Sequence, residues 1–362
     1  MKKQTLLGLL GLLFCSAATP AAADCYQNWN NNCCEWTMYD GKINAGADWL
    51  YWKTEQDNML SGSVVTGNFN NSDKNALIFE GKNKRPNYKY DSGFRVWAGY
   101  ELPCDCWEVG VSYTYVPTSS GAVSFHSDIV QNAEAPAQEY FTTYFSDFSF
   151  LRNLQGQNNG GLFTDFHSKW SSNLNYIDLD VARTVCLGEC FKLRPHVGFR
   201  SAWSDQKLLA VGSFPVEVEN QELPNIQVLS TRLKQKFRGY GIEGGVWGEW
   251  NIGCGFSLVG HVGGSVLYSK FSTTQTQALV TFAPESNEGD LNFAVDVRDS
   301  YWTGTPTADY FLGVKYENCF CDMTYNVHAG WEQHIFFDMN RLSSNGGNLS
   351  MQGLTLGLDV GF

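Results

Sequence analysis

The sequence predicts an all-β chain: a transmembrane antiparallel up-and-down β-barrel of about ten strands, with short periplasmic turns and long extracellular loops. Three observations predict it. Apolar and polar residues alternate in about ten segments, each near the 9–11 residues that cross a bilayer at a tilt. Very short connections alternate with long ones, as in a barrel threaded through an outer membrane. The N-terminus reads as an export signal.

Taken in order, Lys2 and Lys3 form a charged start, Leu6 to Phe14 an apolar core, and Ala21-Ala22-Ala23 a small-residue cleavage site. Cleavage is expected after Ala23, because the apolar run is shorter than the roughly 20 residues of a helical span. Bulky Phe14 before Cys15 argues against lipid attachment there. Residues 24–41, with Cys25, Cys33 and Cys34, read as a periplasmic N-terminal segment, and residues 42–362 as the barrel.

The first strand is expected over 43–53. In 94–102, Phe94, Val96, Ala98, Tyr100 and Leu102 oppose Arg95, Trp97, Gly99 and Glu101. Past the turn at Pro103-Cys104-Asp105-Cys106, Trp107, Val109, Val111, Tyr113 and Tyr115 oppose Glu108, Gly110, Ser112 and Thr114. Segments 176–185 and 191–203 follow, split by Cys186 to Cys190; Pro195 must sit where no ladder donor is needed. The pairs 237–250 with 256–268 and 310–316 with 323–331 turn at Cys254 and at Cys319-Phe320-Cys321, and the last strand is 350–362. Long connectors are expected at 54–88, 117–169, 205–230, 271–305 and 339–349. If Ala278–Phe282 and Asn292–Val297 are separate strands, the count is twelve. An even count puts both termini at the short-turn rim. Trp36, Trp49, Trp107, Trp170, Trp203, Trp250 and Trp331 are expected near strand ends as interfacial aromatics.

Composition agrees. Twelve Trp, 17 Tyr, 24 Phe and 36 Gly with only 17% charged residues suit closed β-structure better than an α/β enzyme. The net charge of −12 becomes −14 when Lys2 and Lys3 leave, which excludes nucleic acid as a partner. Ten cysteines beyond the signal imply an oxidising compartment.

The chain ends on aromatic Phe362 after an alternating strand, which resembles the assembly signal of bacterial outer-membrane proteins. Gly46-Ala47-Asp48-Trp49-Leu50-Tyr51-Trp52-Lys53 resembles the opening strand of the Legionella-type major outer membrane protein family. The cysteine richness is similar to that of chlamydial major outer membrane proteins. The resemblance implies a pore-forming barrel in the bacterial outer membrane, often trimeric and cross-linked through cysteines to itself or to other envelope proteins.

Strand phase alone nominates the pore lining: Arg95, Glu101, Glu108, Asp178, Asp180, Lys192, Arg194, His196, Arg200, Glu243, Lys315 and Glu332. A basic run at Lys234, Lys236 and Arg238, with Glu249, Glu317 and Asp359, is read into the same lining. Opposed acidic and basic stripes filter small solutes or ions by charge and size, or else pair with each other and plug the lumen. Cys25, Cys33, Cys34, Cys104, Cys106, Cys186, Cys190, Cys254, Cys319 and Cys321 are disulfide candidates, within the chain or between chains. Cys186 and Cys190 flank a short loop and could pair, whereas a Cys104–Cys106 bond would be strained. No metal, cofactor or catalytic group is expected; His196, His261 and His328 fall on inward phases, and no serine motif stands beside any histidine. The aromatic stretch at 140–154 reads as an amphipathic helix or as a packed loop. The function expected is a porin passing small hydrophilic solutes or ions, disulfide-linked in the envelope; the alternative is a non-conducting barrel for adhesion or envelope stability. Outer-membrane lipids and a homo-oligomer are the expected partners.

Overall fold

A computed structural model describes residues 41–59, 61–69, 77–103, 106–127, 138–142, 162–188, 190–216, 225–284, 288–320, 323–342 and 346–362. The export signal, Cys15, Cys25, Cys33, Cys34, Trp36, Cys104 and Cys321 lie outside these residues.

Ten long strands form among the described residues: β1 (Lys42–Gln56), β2 (Tyr90–Glu101), β3 (Trp107–Gly121), β4 (Asp165–Arg183), β5 (Phe191–Val216), β6 (Asn225–Gly253), β7 (Phe256–Phe282), β8 (Gly289–Phe320), β9 (Met323–Phe336) and β10 (Leu349–Gly361). Each pairs antiparallel with its sequence neighbours, and β10 returns to β1, so the ring closes without an edge. The ends are stitched by two backbone hydrogen bonds of 2.9 Å between Ile43 and Phe362. Short turns follow β2, β4, β6 and β8, on the rim that also carries both ends of the barrel. Only Cys254 and Gly255 separate β6 from β7; Gly253, Cys254 and Gly255 all take positive φ there.

Within the membrane-crossing part, each strand turns apolar residues outward. Ile242 is 70% exposed, Leu312 71% and Val197 63%, values that suit a surface solvated by lipid rather than water. Trp49, Trp107, Trp203, Trp250 and Trp331 also lie outside. Trp170 does not; it is buried inside the barrel, contrary to its expected interfacial place.

Four strands run far beyond the expected length. β5, β6, β7 and β8 have 26, 29, 27 and 32 residues, where about 10 cross a bilayer. The connectors expected at 205–230 and 271–305 are therefore mostly strand, leaving 217–224 and 283–288. Ala278–Phe282 and the 292–297 stretch prolong β7 and β8 rather than adding strands, so the barrel is taller and not wider. Above the membrane the alternation inverts. On β6, Leu229, Leu233 and Phe237 face in while Arg232, Lys234, Lys236 and Arg238 face out; below Gly239, Tyr240 and Ile242 face out. Water replaces lipid outside at that height, so the apolar face turns to the interior. A separate four-stranded sheet joins Leu77–Lys84, Gly62–Phe69, Gln138–Thr142 and Leu162–Phe163. Tyr140 to Thr142 are thus strand, not helix, and 143–154 lies outside the described residues.

Small inward residues let so narrow a barrel coil. A Cβ at Gly241 would stand 2.0 Å from the Val266 carbonyl oxygen, and one at Gly198 2.2 Å from that of Leu179. Gly241→Val is expected to abolish the heat-modifiable folded band on unboiled gels. Gly304→Ala, with nothing within 4 Å, is expected to keep it.

Candidate functional site

The barrel interior holds three stacked layers. Nearest the short-turn rim is a charged, partly exposed vestibule. Arg194 donates to Glu108 (2.8 Å) and lies 3.6 Å from Asp180, joining β5, β3 and β4. Lys315 on β8 bridges Glu249 on β6 (2.6 Å) and Glu317 (3.0 Å). The His328 ring stands between two carboxylates, Nε2 3.4 Å from Asp48 and Nδ1 3.5 Å from Asp359. These three residues bring ligand atoms within 4.8 Å of one another. Because opposite ring nitrogens face the two carboxylates, they form a sandwich rather than donors converging on one point. Between the charges runs an aromatic column: Trp247 stacks on His261 at 4.4 Å and His196 on His261 at 5.2 Å.

The middle layer is a buried ion-pair lattice built around two arginines. Arg200 on β5 donates to Asp178 on β4 through Nε (2.8 Å) and Nη2 (3.1 Å), a bidentate grip set by their direct cross-strand register. It also reaches Glu243 on β6 at 3.0 Å and, across the lumen, Asp309 on β8 at 2.6 Å. Arg95 on β2 holds Asp48 on β1 at 3.1 Å and reaches Glu332 on β9 at 2.6 Å. His334 ties the halves together, with Nδ1 2.6 Å from Asp309 and Nε2 2.7 Å from Glu332. Tyr176 adds a second tie; its ring lies 5.1 Å from the Arg200 guanidinium and its hydroxyl accepts from Arg95 at 3.5 Å. Trp52 Nε1 donates to Thr355, whose hydroxyl donates to Glu332. Arg95 Nε also donates to Thr114 on β3, and Arg200 to Thr307, which bonds Ser265 on β7, so one connected network spans all ten strands.

Above it the interior is largely apolar, with Gln206, Gln235 and Gln277 buried among the hydrophobic side chains. Trp52, Trp170, Leu208, Leu229, Leu233, Phe237, Phe271, Phe336 and Leu349 are buried together. The connector after β9 enters this layer: Met339 and Leu342 join the core, Gln235 donates to the Met339 carbonyl at 2.7 Å, and the Arg341 N–H donates to Gln235 Oε1 at 2.8 Å. Eight strands leave room only for side chains, and ten leave little more. Among the described residues, the inward side chains of these two layers are almost all buried.

A family model described as the Legionella pneumophila major outer membrane protein precursor matches residues 32–362. The chain belongs to the Legionella major outer membrane protein family. It is accordingly a bacterial outer-membrane barrel, as the resemblance implied. None of the curated proteins matches it. Among solved structures, the outer membrane protease OmpT from Escherichia coli is 11% identical with a TM-score of 0.40, covering 91% of this chain and 99% of that one. A major outer membrane protein from Thermus thermophilus is 11% identical with a TM-score of 0.32, covering 90% and 100%. A Pseudomonas aeruginosa FadL homologue is 7% identical with a TM-score of 0.22, covering 92% and 93%.

In this family member all twelve residues nominated by phase face the interior. Arg95, Asp178, Arg200, Glu243 and Glu332 meet in the lattice, and Glu101, Glu108, Asp180, Lys192, Arg194, His196 and Lys315 lie in the vestibule. Lys234, Lys236 and Arg238 face outward instead, because the inverted alternation above Gly239 puts polar residues on the outer wall. Strand phase gave no reason to single out Asp48, Tyr176, Asp309 or His334, although same-strand phase puts Tyr176 with Asp178, Asp309 with Lys315 and His334 with Glu332, and register sets Asp48 opposite Arg95. At the rim, Cys190 and Cys254 are exposed free thiols, so the Cys186–Cys190 pairing that the short loop would allow is not formed. Cys106 and Cys186 are not free.

Proposed function

We propose that this barrel is a gated conduit for small hydrophilic solutes or ions, shut in the conformation described. One observation carries it: the mid-lumen is ionic although the same barrel packs an apolar core one layer higher. Buried ion pairs seldom stabilise a fold better than apolar packing of the same volume, so filling the barrel does not require them. A charged vestibule leading to an arginine-centred constriction is the arrangement that sorts solutes by charge and size. The second reading is a permanently closed barrel serving adhesion or envelope stability; the apolar layer and its inserted connector favour it.

Liposome swelling separates the two. Proteoliposomes should take up arabinose slowly yet faster than protein-free vesicles, and uptake should rise when the connector after β9 is shortened. Uptake at the protein-free rate in both proteins assigns the second reading.

The exposed thiols of Cys190 and Cys254 support a further role, linking the periplasmic rim to neighbouring proteins by disulfides. Non-reducing gels of intact envelopes should show higher-mass species that collapse with a thiol reductant. Cys190→Ser/Cys254→Ser should remove them; unchanged ladders in the double variant would exclude these two thiols as the link.

A further inference from the structure

The basic residues displaced from the lumen form a patch on the outer wall. Lys207 on β5, Lys234, Lys236 and Arg238 on β6, and Lys270 on β7 are all exposed on one face. They begin immediately above an aromatic line: Tyr240, Tyr268 and Trp302 pack with centroids 4.7–6.3 Å apart at the top of the apolar band. That is where interfacial aromatics mark the headgroup level. Arg238 and Lys270 form the first polar row, one outward position above Tyr240 and Tyr268.

The register opposes like charges in two of three rows, with Asp205 opposite Lys236 in the row between. Arg238 lies directly across from Lys270, and Lys207 across from Lys234. Such pairs weaken a sheet unless an anion lies between them. The protein supplies little compensation. Asp205 reaches Arg238 at 3.7 Å, and Arg298 nearby is closed on Asp296 at 2.8 Å. Lys270 Nζ sits 5.9 Å from the Trp302 ring centroid. Among the described residues, Lys207, Lys234 and Lys236 have no ion pair. A concentration of five cations is also unusual on a chain of net charge −12.

We propose that this patch binds the phosphate groups of the phosphorylated glycolipid in the outer leaflet, with the Arg238/Lys270 row nearest the acyl boundary. Height and charge both fit such a headgroup. Basic side chains just above a membrane surface attract anionic headgroups within a Debye length. The binding would hold the tall β5–β8 wall against the leaflet.

The test counts lipid A retained per barrel, by mass spectrometry, after extraction from outer membranes in mild detergent. Replacing Lys207, Lys234, Lys236, Arg238 and Lys270 together by Gln should lower retention at least fivefold, while the folded band on unboiled gels persists. Lys82→Gln/Lys84→Gln, exposed elsewhere, should retain the native amount. Phosphatidylcholine vesicles containing lipid A should raise the unfolding temperature of the native barrel, and inorganic phosphate in plain phosphatidylcholine vesicles should not. Equal retention in the fivefold variant, equal loss in the control pair, or the same shift with inorganic phosphate overturns the assignment. If the fivefold variant does not fold, Arg238→Gln/Lys270→Gln should still halve retention, and native retention in that pair overturns it.

Discussion

Arg200→Met is expected to destabilise the barrel by about 3–5 kcal/mol, the range found when one partner of a buried ion pair is removed. The size follows from what stays behind. Asp178, Glu243 and Asp309 would face one another with Arg200 gone, in a layer where Arg200 is only 5% exposed. Urea-induced unfolding in lipid vesicles, followed by tryptophan fluorescence, should show the midpoint falling with its slope unchanged. Adding Asp178→Asn, Glu243→Gln and Asp309→Asn to Arg200→Met should restore most of the loss, because those carboxylates then need no counter-charge. A single-variant shift under about 1 kcal/mol would mean the lattice is hydrated rather than buried.

The second large effect concerns passage. Replacing residues 338–347 by a short Gly-Ser turn withdraws Met339 and Leu342 from the upper layer and frees Gln235 from its two backbone bonds. Combined with Arg200→Ser, which opens the lattice beneath, this variant should raise ion conductance at least tenfold over the native barrel. The connector change alone should do less, since the ionic layer remains. The expected order is therefore native, single changes, then the combination, read as mean current per inserted barrel. Equal currents in all four would place the barrier elsewhere.

Much of this architecture is legible in the sequence, and its errors have one physical source. Alternation located the ten barrel strands, because lipid outside and charge inside give opposite faces opposite chemistry; the separate four-stranded sheet lies within the expected connectors 54–88 and 117–169. The rule fails above the bilayer, where water lies outside. Lys234, Lys236 and Arg238 read as lumen residues only if polar always means inward. Parity disproves that: they share even numbers with outward Tyr240 and Ile242, while Glu243 is odd. Leu229 reads as loop for the same reason. Residue type alone points Trp170 to the girdle, yet its even position matches inward Ser172 and Tyr176. What strand phase cannot show is height across the lumen. Arg200 meeting Asp309, and His334 bridging Asp309 to Glu332, depend on tilt and stagger around the ring. The connector after β9 carries no alternation to announce that Met339 and Leu342 turn inward.

Single-channel recording of the unmodified barrel in a planar bilayer reads the state of the lumen itself. A lumen sealed by an ionic and an apolar layer predicts long silence broken by rare, brief openings of small conductance. Sustained openings of large conductance at low voltage would contradict the sealed lumen.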